Sequence, residues 1–191
     1  GELSMERIED AAARVLAAKE MFGKCDWNME KVGTKQQIQF AEGFLAKTIR
    51  PLDQTKEKKF LLGTDPLFIG IEPGSVTLAS DTKGPQNFAI FMQQCFGGEA
   101  IECSMNTTEK EMQDCIDRAK GKSSLVVGTL NAHLQPGQCR LLEALSSLNI
   151  PLAHIALRNP YDLEKTSDEV FKLPLYEYTV RAMEKAKQYF I

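Results

Sequence analysis

The stretch SLVVGTLNAHLQPGQCRLLEALSSLNIPLAHIAL, residues 124–157, decides the fold. Ser124–Val127 is a short apolar run closed by Gly128, the composition of a strand buried on both faces. Pro136 sits where a first helical turn takes a proline. Leu141, Leu142, Leu145 and Leu148 then follow at helical spacing as a stripe for burial. Leu152–Leu157 is a second apolar run of strand length. Strand, helix and strand in this order form a β-α-β unit, whose strands are expected to be parallel, adjacent and joined by a right-handed crossover.

Upstream, the alternation continues. Leu67–Ile71 reads as a strand, residues 85–96 as a helix closed by Gly97-Gly98, and Ala100–Cys103 as a strand. Thr107 or Thr108 caps a helix reaching Ala119, with Glu109 and Glu111 in its first turn. Downstream, a last helix spans Thr179–Phe190. The spacing predicts an α/β fold over 60–191: a three-layer α/β/α sandwich, flavodoxin-like, with a mostly parallel sheet.

Residues 1–59 read as a helical and linker segment leading into that sandwich. A helix is expected over 4–22, capped by Ser4, with Ile8, Ala12, Val15, Leu16 and Phe22 in register and Gly23 closing it. Residues 24–33 lack a period and read as a loop. A second helix over 35–49 places Ile38, Ala41, Leu45 and Ile49 on one face, and Pro51 stops it. Residues 53–59 form a charged turn.

Bulk properties exclude several classes. The 191 residues are 43% hydrophobic, enough for one core with an added segment. Net charge is −3 and no basic stripe appears, which argues against nucleic acid as a partner. No apolar run approaches the roughly 18 residues that span a bilayer. Glu2, Glu6, Glu9 and Asp10 come too early for a signal peptide, and a start at Gly1 without Met reads either as a fragment or as a tag scar. The five cysteines are odd in number and contain no C-x-x-C. They are expected to be free thiols in a reducing, cytoplasmic setting.

Motifs for chemistry are few. Gly121-Lys122-Ser123 resembles the end of a phosphate loop, but it precedes a strand and has Ile116 where the first glycine belongs. No G-x-G-x-x-G is present, so no cofactor is expected. His133 and His154 are isolated, so no metal site is expected, and His154 should be a packed histidine inside a strand. Nucleophile motifs are lacking. Glu72 and Asp162 could lie near strand ends, with surface or capping roles favoured over a glycosidase-type carboxylate pair.

Two strand ends carry the candidate site. Asn131 and His133 follow the first strand of the β-α-β unit, and Arg158, Asn159, Tyr161 and Asp162 follow the second. Both emerge at the carboxyl edge of the sheet, where open α/β folds meet ligands. Pro160 in a first helical turn would leave Asn159 as its cap, and Asp162 would face the positive end of the dipole. Arg158 could fork onto a carboxylate of a partner domain or onto a ligand. A self-contained cap with an internal salt bridge and a contact edge both remain open here.

GTLNAHLQPGQCRLLEAL at 128–145, IPLAHIALRNPYDL at 150–163 and YEYT at 176–179 resemble the C-terminal region of family 3 glycoside hydrolases, in the β-N-acetylhexosaminidase branch. GELSMERIEDAAARVLAAKEMFG at 1–23 is similar to the last helix of that family's catalytic barrel. AEGFLAKTIRPLDQ at 41–54 is similar to the helix and strand leading into the second domain, although IRPLDQ replaces an apolar run ending in Lys-Asn or Lys-Asp. The resemblance covers nearly the whole chain and is weakest at 72–122.

It implies a retaining enzyme whose nucleophilic Asp and acid/base His lie on a (β/α)₈ barrel. No stretch here matches those motifs, and 191 residues are too few for a barrel and a sandwich. The implied function is a non-catalytic accessory domain that packs on the barrel of the same polypeptide, with the six strand-end residues walling a carbohydrate cleft. The rivals are a free-standing sugar-binding or regulatory module and a small flavodoxin-like enzyme.

Overall fold

The computed structural model describes residues 3–23, 28–52, 59–72 and 87–191. The expected helix start at residues 85–86 and the charged turn at 53–58 lie outside the described residues. Two compact units divide the chain, Gly1–Glu42 and Gly43–Ile191.

In the first unit, α1 spans Met5–Phe22. Ser4 accepts the Arg7 amide at 3.3 Å, Glu6 faces the positive end of the dipole, and the Gly23 amide returns to the Lys19 carbonyl. The capping chemistry is therefore as the sequence reads, yet no residue of α1 is buried. Ile8, Val15, Leu16 and Phe22 all face solvent. Residues 29–31, read as loop, make a 3-10 turn capped by Asn28. α2 spans Lys35–Thr48; its C-terminal part belongs to the second unit, where Leu45 and the following Ile49 are buried.

The second unit is a three-layer α/β/α sandwich. Its strands are β1 Pro66–Ile71, β2 Glu99–Cys103, β3 Ser124–Thr129, β4 Leu152–Ala156 and β5 Phe171–Pro174. They are ordered β2-β1-β3-β4-β5 and every neighbouring pair is parallel. This is the flavodoxin-like order, with its switch point between β1 and β3. Its helices are α3 Phe88–Phe96, α4 Glu109–Ala119, α5 Pro136–Ser146 and α6 Val180–Ala186. α3 packs on β1 and β2, and α4 packs beside α5. With the right-handed crossovers general to parallel strands, this strand order puts α3 on one face of the sheet and α4 and α5 on the other. Every residue of β1, β3 and β4 is buried. Each fully buried Leu, Ile or Val side chain there contributes about 1.5–3 kcal/mol.

Three details differ from the sequence reading. β3 runs through Gly128 to Thr129 instead of ending at the glycine. A Cβ at Gly128 would fall 2.6 Å from the Phe88 ring, so the glycine serves close helix–sheet packing, not termination. β5 has no strand signal in the sequence. FKLP is short and carries Lys172 and Pro174, yet Ala153–Ala156 of β4 pair with Phe171–Pro174 in register. The last helix stops at Ala186 and tightens into a 3-10 turn over Lys187–Tyr189.

The C-terminus is fastened by long-range contacts. Phe60 bridges Phe190 in parallel, and Phe60, Phe96, Phe171 and Phe190 form a ring cluster with centroids 5.7–6.2 Å apart. The Tyr189 hydroxyl donates to the Ile49 carbonyl at 2.9 Å. Residues 49–52, which by resemblance would begin a strand, form none, although the Leu52 amide donates to the Lys172 carbonyl at 3.0 Å. No helix among the described residues is long and apolar enough to cross a membrane.

Candidate functional site

The carboxyl ends of β3 and β4 meet as the sequence predicts. Asn131 turns the chain after β3 in a left-handed conformation, φ 53°, and a 3-10 turn over Ala132–Leu134 presents His133. This turn is held from beneath by Gln138 of α5, fully buried. Its Oε1 accepts the Leu130 amide at 2.9 Å, while its Nε2 donates to the carbonyls of Met105 at 2.7 Å and Leu130 at 3.1 Å. Sequence reasoning overlooked Gln138, because one glutamine in an amphipathic helix carries no signal of burial.

After β4, Arg158 is exposed and Asn159 caps the 3-10 helix Pro160–Lys165 by accepting the Tyr161 amide at 3.2 Å. Tyr161 is 63% exposed. Asp162 lies in the first turn of this helix, as expected. It turns inward and is fully buried. Its Oδ2 accepts the Thr129 hydroxyl at 3.1 Å. Its Oδ1 accepts the His133 amide at 3.3 Å and lies 3.1 Å from His133 Nδ1. Asp162 is therefore a cross-brace between the two strand ends, and it cannot serve as half of a solvent-facing pair with Glu72. The internal contact at this edge joins Asp162 to His133, an ion pair only when the imidazole is protonated, and not to Arg158.

The brace continues inward. His154 is the packed strand histidine that its position predicts, with Nε2 2.9 Å from the Thr129 hydroxyl and Nδ1 3.1 Å from the Thr166 hydroxyl. Thr129 gives its only proton to Asp162, so its oxygen accepts from His154 Nε2–H, and Nδ1 accepts from Thr166. Burial pushes the His154 pKa down to about 3, so the ring is neutral. Every link is a hydrogen bond between side chains far apart in sequence, which no local pattern announces.

Two tyrosines complete the edge. The Tyr178 hydroxyl accepts the Phe88 amide at 3.0 Å, and burial raises its pKa to about 12. Tyr176, 48% exposed, sits at φ 62°, a region that favours glycine or asparagine over a bulky ring.

At the opposite edge, Lys122 of the Gly-Lys-Ser stretch pairs with Asp65 at 3.0 Å and Glu99 at 2.8 Å, while Ser123 donates to the Leu62 carbonyl at 2.7 Å. These residues fasten the start of β3. Among the described residues no group of three or more His, Cys, Asp or Glu is placed to hold a metal ion.

The fold and this edge permit comparison with known proteins. No protein-family model and no curated protein sequence matches the chain. Among solved structures, 97% of the chain superposes on a glycoside hydrolase family 3 β-N-acetylglucosaminidase from Paenibacillus sp. str. FPU-7, with TM-score 0.65 and 22% identity. The chain has the fold of part of a family 3 glycoside hydrolase. A fungal multi-domain enzyme, also a family 3 β-N-acetylglucosaminidase, matches over 98% of the chain with TM-score 0.63 and 18% identity. A β-glucosidase from Listeria innocua matches over 97% with TM-score 0.57 and 12% identity. The chain spans 37%, 22% and 31% of the lengths of these three, about a third or less.

Proposed function

We propose that this chain is a non-catalytic accessory domain of a family 3 glycoside hydrolase, and that the enzyme is a β-N-acetylhexosaminidase releasing terminal N-acetylglucosamine-type sugars. The observation that carries this reading is the superposition of nearly the whole chain on about a third of such an enzyme. The LRNPYDL and YEYT segments, which resemble that branch, support the sugar preference. The two most similar folds reported above are both β-N-acetylglucosaminidases.

In this reading the sandwich packs on a (β/α)₈ barrel of the same polypeptide. The exposed apolar side chains of the first unit, among them Val15, Leu16 and Phe40, are surface for that contact. Exposed Arg158, Tyr161 and His133 reach toward the barrel or the sugar, while Asn131, Asn159 and Asp162 shape the loops that present them. A cytoplasmic location is proposed on the unpaired cysteine pattern alone.

The test is an assay of the purified chain against 4-nitrophenyl N-acetyl-β-glucosaminide, beside the longer polypeptide encoded by the reading frame through Gly1. The chain alone should release no nitrophenol above buffer, and the longer polypeptide should. Turnover by the chain alone overturns the reading. The exposure of Arg158 and Tyr161 favours one rival, a sugar-binding module. Calorimetry with N-acetylglucosamine giving saturable heat that Arg158→Ala abolishes would select it.

A further inference from the structure

Cys103 is the last residue of β2, and Cys115 lies in the middle of α4. Their Sγ atoms are 3.4 Å apart, and both residues are buried. We propose that Cys103 and Cys115 are an oxidation site that closes into an intramolecular disulfide and pins α4 to the edge strand of the sheet.

The segment between them is already fastened in the closing geometry. Glu111, one helical turn before Cys115 on the same face, accepts four bonds: the Ser104 amide at 2.7 Å, the Ser104 hydroxyl at 2.8 Å, and the Thr108 amide and hydroxyl at 2.7 Å each. The turn leaving β2 and the start of α4 are thus tied to one carboxylate. Reaching a bonded S–S distance of about 2.05 Å requires the sulfurs to approach by about 1.4 Å, a rotamer-scale adjustment.

The pairing is selective among the described cysteines. Cys95 is exposed on α3, and Cys139 is half-buried with its sulfur donating to the Ala132 carbonyl at 3.2 Å.

Peroxide, small enough to reach a buried sulfur when α4 loosens, is the oxidant class. The Cys103 contact and burial push the Cys115 thiol up, keeping it protonated. Cys103, on losing its proton, attacks a peroxide oxygen. The O–O bond breaks, Cys103 becomes a sulfenic acid, and the released hydroxide takes up the proton as water. The Cys115 sulfur then attacks the sulfenic sulfur, and the displaced hydroxide leaves as water with the Cys115 proton. Two thiols and one peroxide give one disulfide and two waters, with two electrons passing from sulfur to oxygen. Because both sulfurs are buried, exposed Cys95 reacts first and the pair closes slowly.

Trypsin leaves Cys95 and Cys103 together on residues 84–110 and Cys115 on 111–118. The experiment therefore uses the full chain carrying Cys95→Ser, treated with hydrogen peroxide, alkylated under denaturing conditions, digested and weighed. The expected result is a 84–110/111–118 linked peptide lighter than the sum by two hydrogens. It should disappear with dithiothreitol and in Cys115→Ser, and the oxidised chain should have a higher Tm. Free alkylated Cys103 and Cys115 after prolonged oxidation, separate sulfinic acids, or a link to Cys139 or Cys25 would each overturn the proposal. If Cys95→Ser misfolds, the wild-type chain cut after glutamate gives the same readout, because Glu99 and Glu102 separate Cys95 from Cys103.

Discussion

The Thr129 hydroxyl at the end of β3 donates to the buried carboxylate of Asp162 at 3.1 Å, across 33 positions of sequence. That bond makes Asp162 a brace between two strand ends. Asp162→Ala removes the acceptor for Thr129 and for the His133 amide, and leaves the buried Thr129 hydroxyl with His154 as its remaining partner. The expected loss is about 3 kcal/mol in urea unfolding. His133→Ala, at a side chain 30% exposed, should cost about 1 kcal/mol or less. Equal losses for the two variants would show that the brace is not organised around Asp162.

His154 makes stability fall with acid. Its folded pKa, about 3, lies below the unfolded value of about 6.5. Between those values the unfolded chain binds a proton that the folded chain does not, so stability rises with pH across that window. The contribution is complete above about pH 6.5 and is lost as pH falls toward 3, at up to about 1.4 kcal/mol per pH unit. His154→Gln should flatten the stability profile between pH 6.5 and 4. An unchanged slope in that variant would mean that His154 takes up its proton in the fold.

Glu111 acts lower on the pH scale. Burial opposes its charge, but the bonds from Thr108 and Ser104 prevail and bring its pKa down to about 2. Its folded pKa is below the unfolded one, so its stabilisation is present above about pH 4.5 and is lost as pH falls toward 2. Glu111→Gln keeps a residue type that can close a capping box but removes the charge on which four donors converge, and should cost about 1 kcal/mol at pH 7. Urea titrations at pH 7 and pH 3 should show this gap narrowing in acid.

Gly137 has no room for a side chain. A Cβ there would meet the Thr107 carbonyl oxygen at 2.2 Å and the Thr107 amide at 2.8 Å. Both are backbone atoms, so relief requires moving α5 or the turn before α4. Gly137→Ala should destabilise by about 2–3 kcal/mol. A Tm within a degree of wild type would contradict the close approach.

Tyr176 offers the opposite case. Its left-handed backbone disfavours a ring by about 1–2 kcal/mol, while Asn tolerates that conformation. Tyr176→Asn should hold or raise the Tm, whereas Tyr178→Phe removes the acceptor for the Phe88 amide and should lower it. If Tyr176→Asn lowers the Tm as much as Tyr178→Phe does, the exposed ring contributes packing that offsets its strain.

Local sequence accounts for the parallel β-α-β unit at 124–157, the α/β sandwich class, and the caps Ser4, Asn159 and one of Thr107 and Thr108, of which the structure selects Thr108. Periodicity and capping depend on residues within a few positions, so they are written in neighbouring letters. It also located the strand-end cluster, because strand ends follow from strand positions. Tertiary structure decided the rest: that FKLP becomes β5, that Gly128 lies inside a strand beneath Phe88, that Asp162 turns inward and that Cys103 meets Cys115. Each depends on partners brought together only when the sheet assembles. Burial and hydrogen-bond geometry then set the role of a side chain, and no spacing along the chain encodes them.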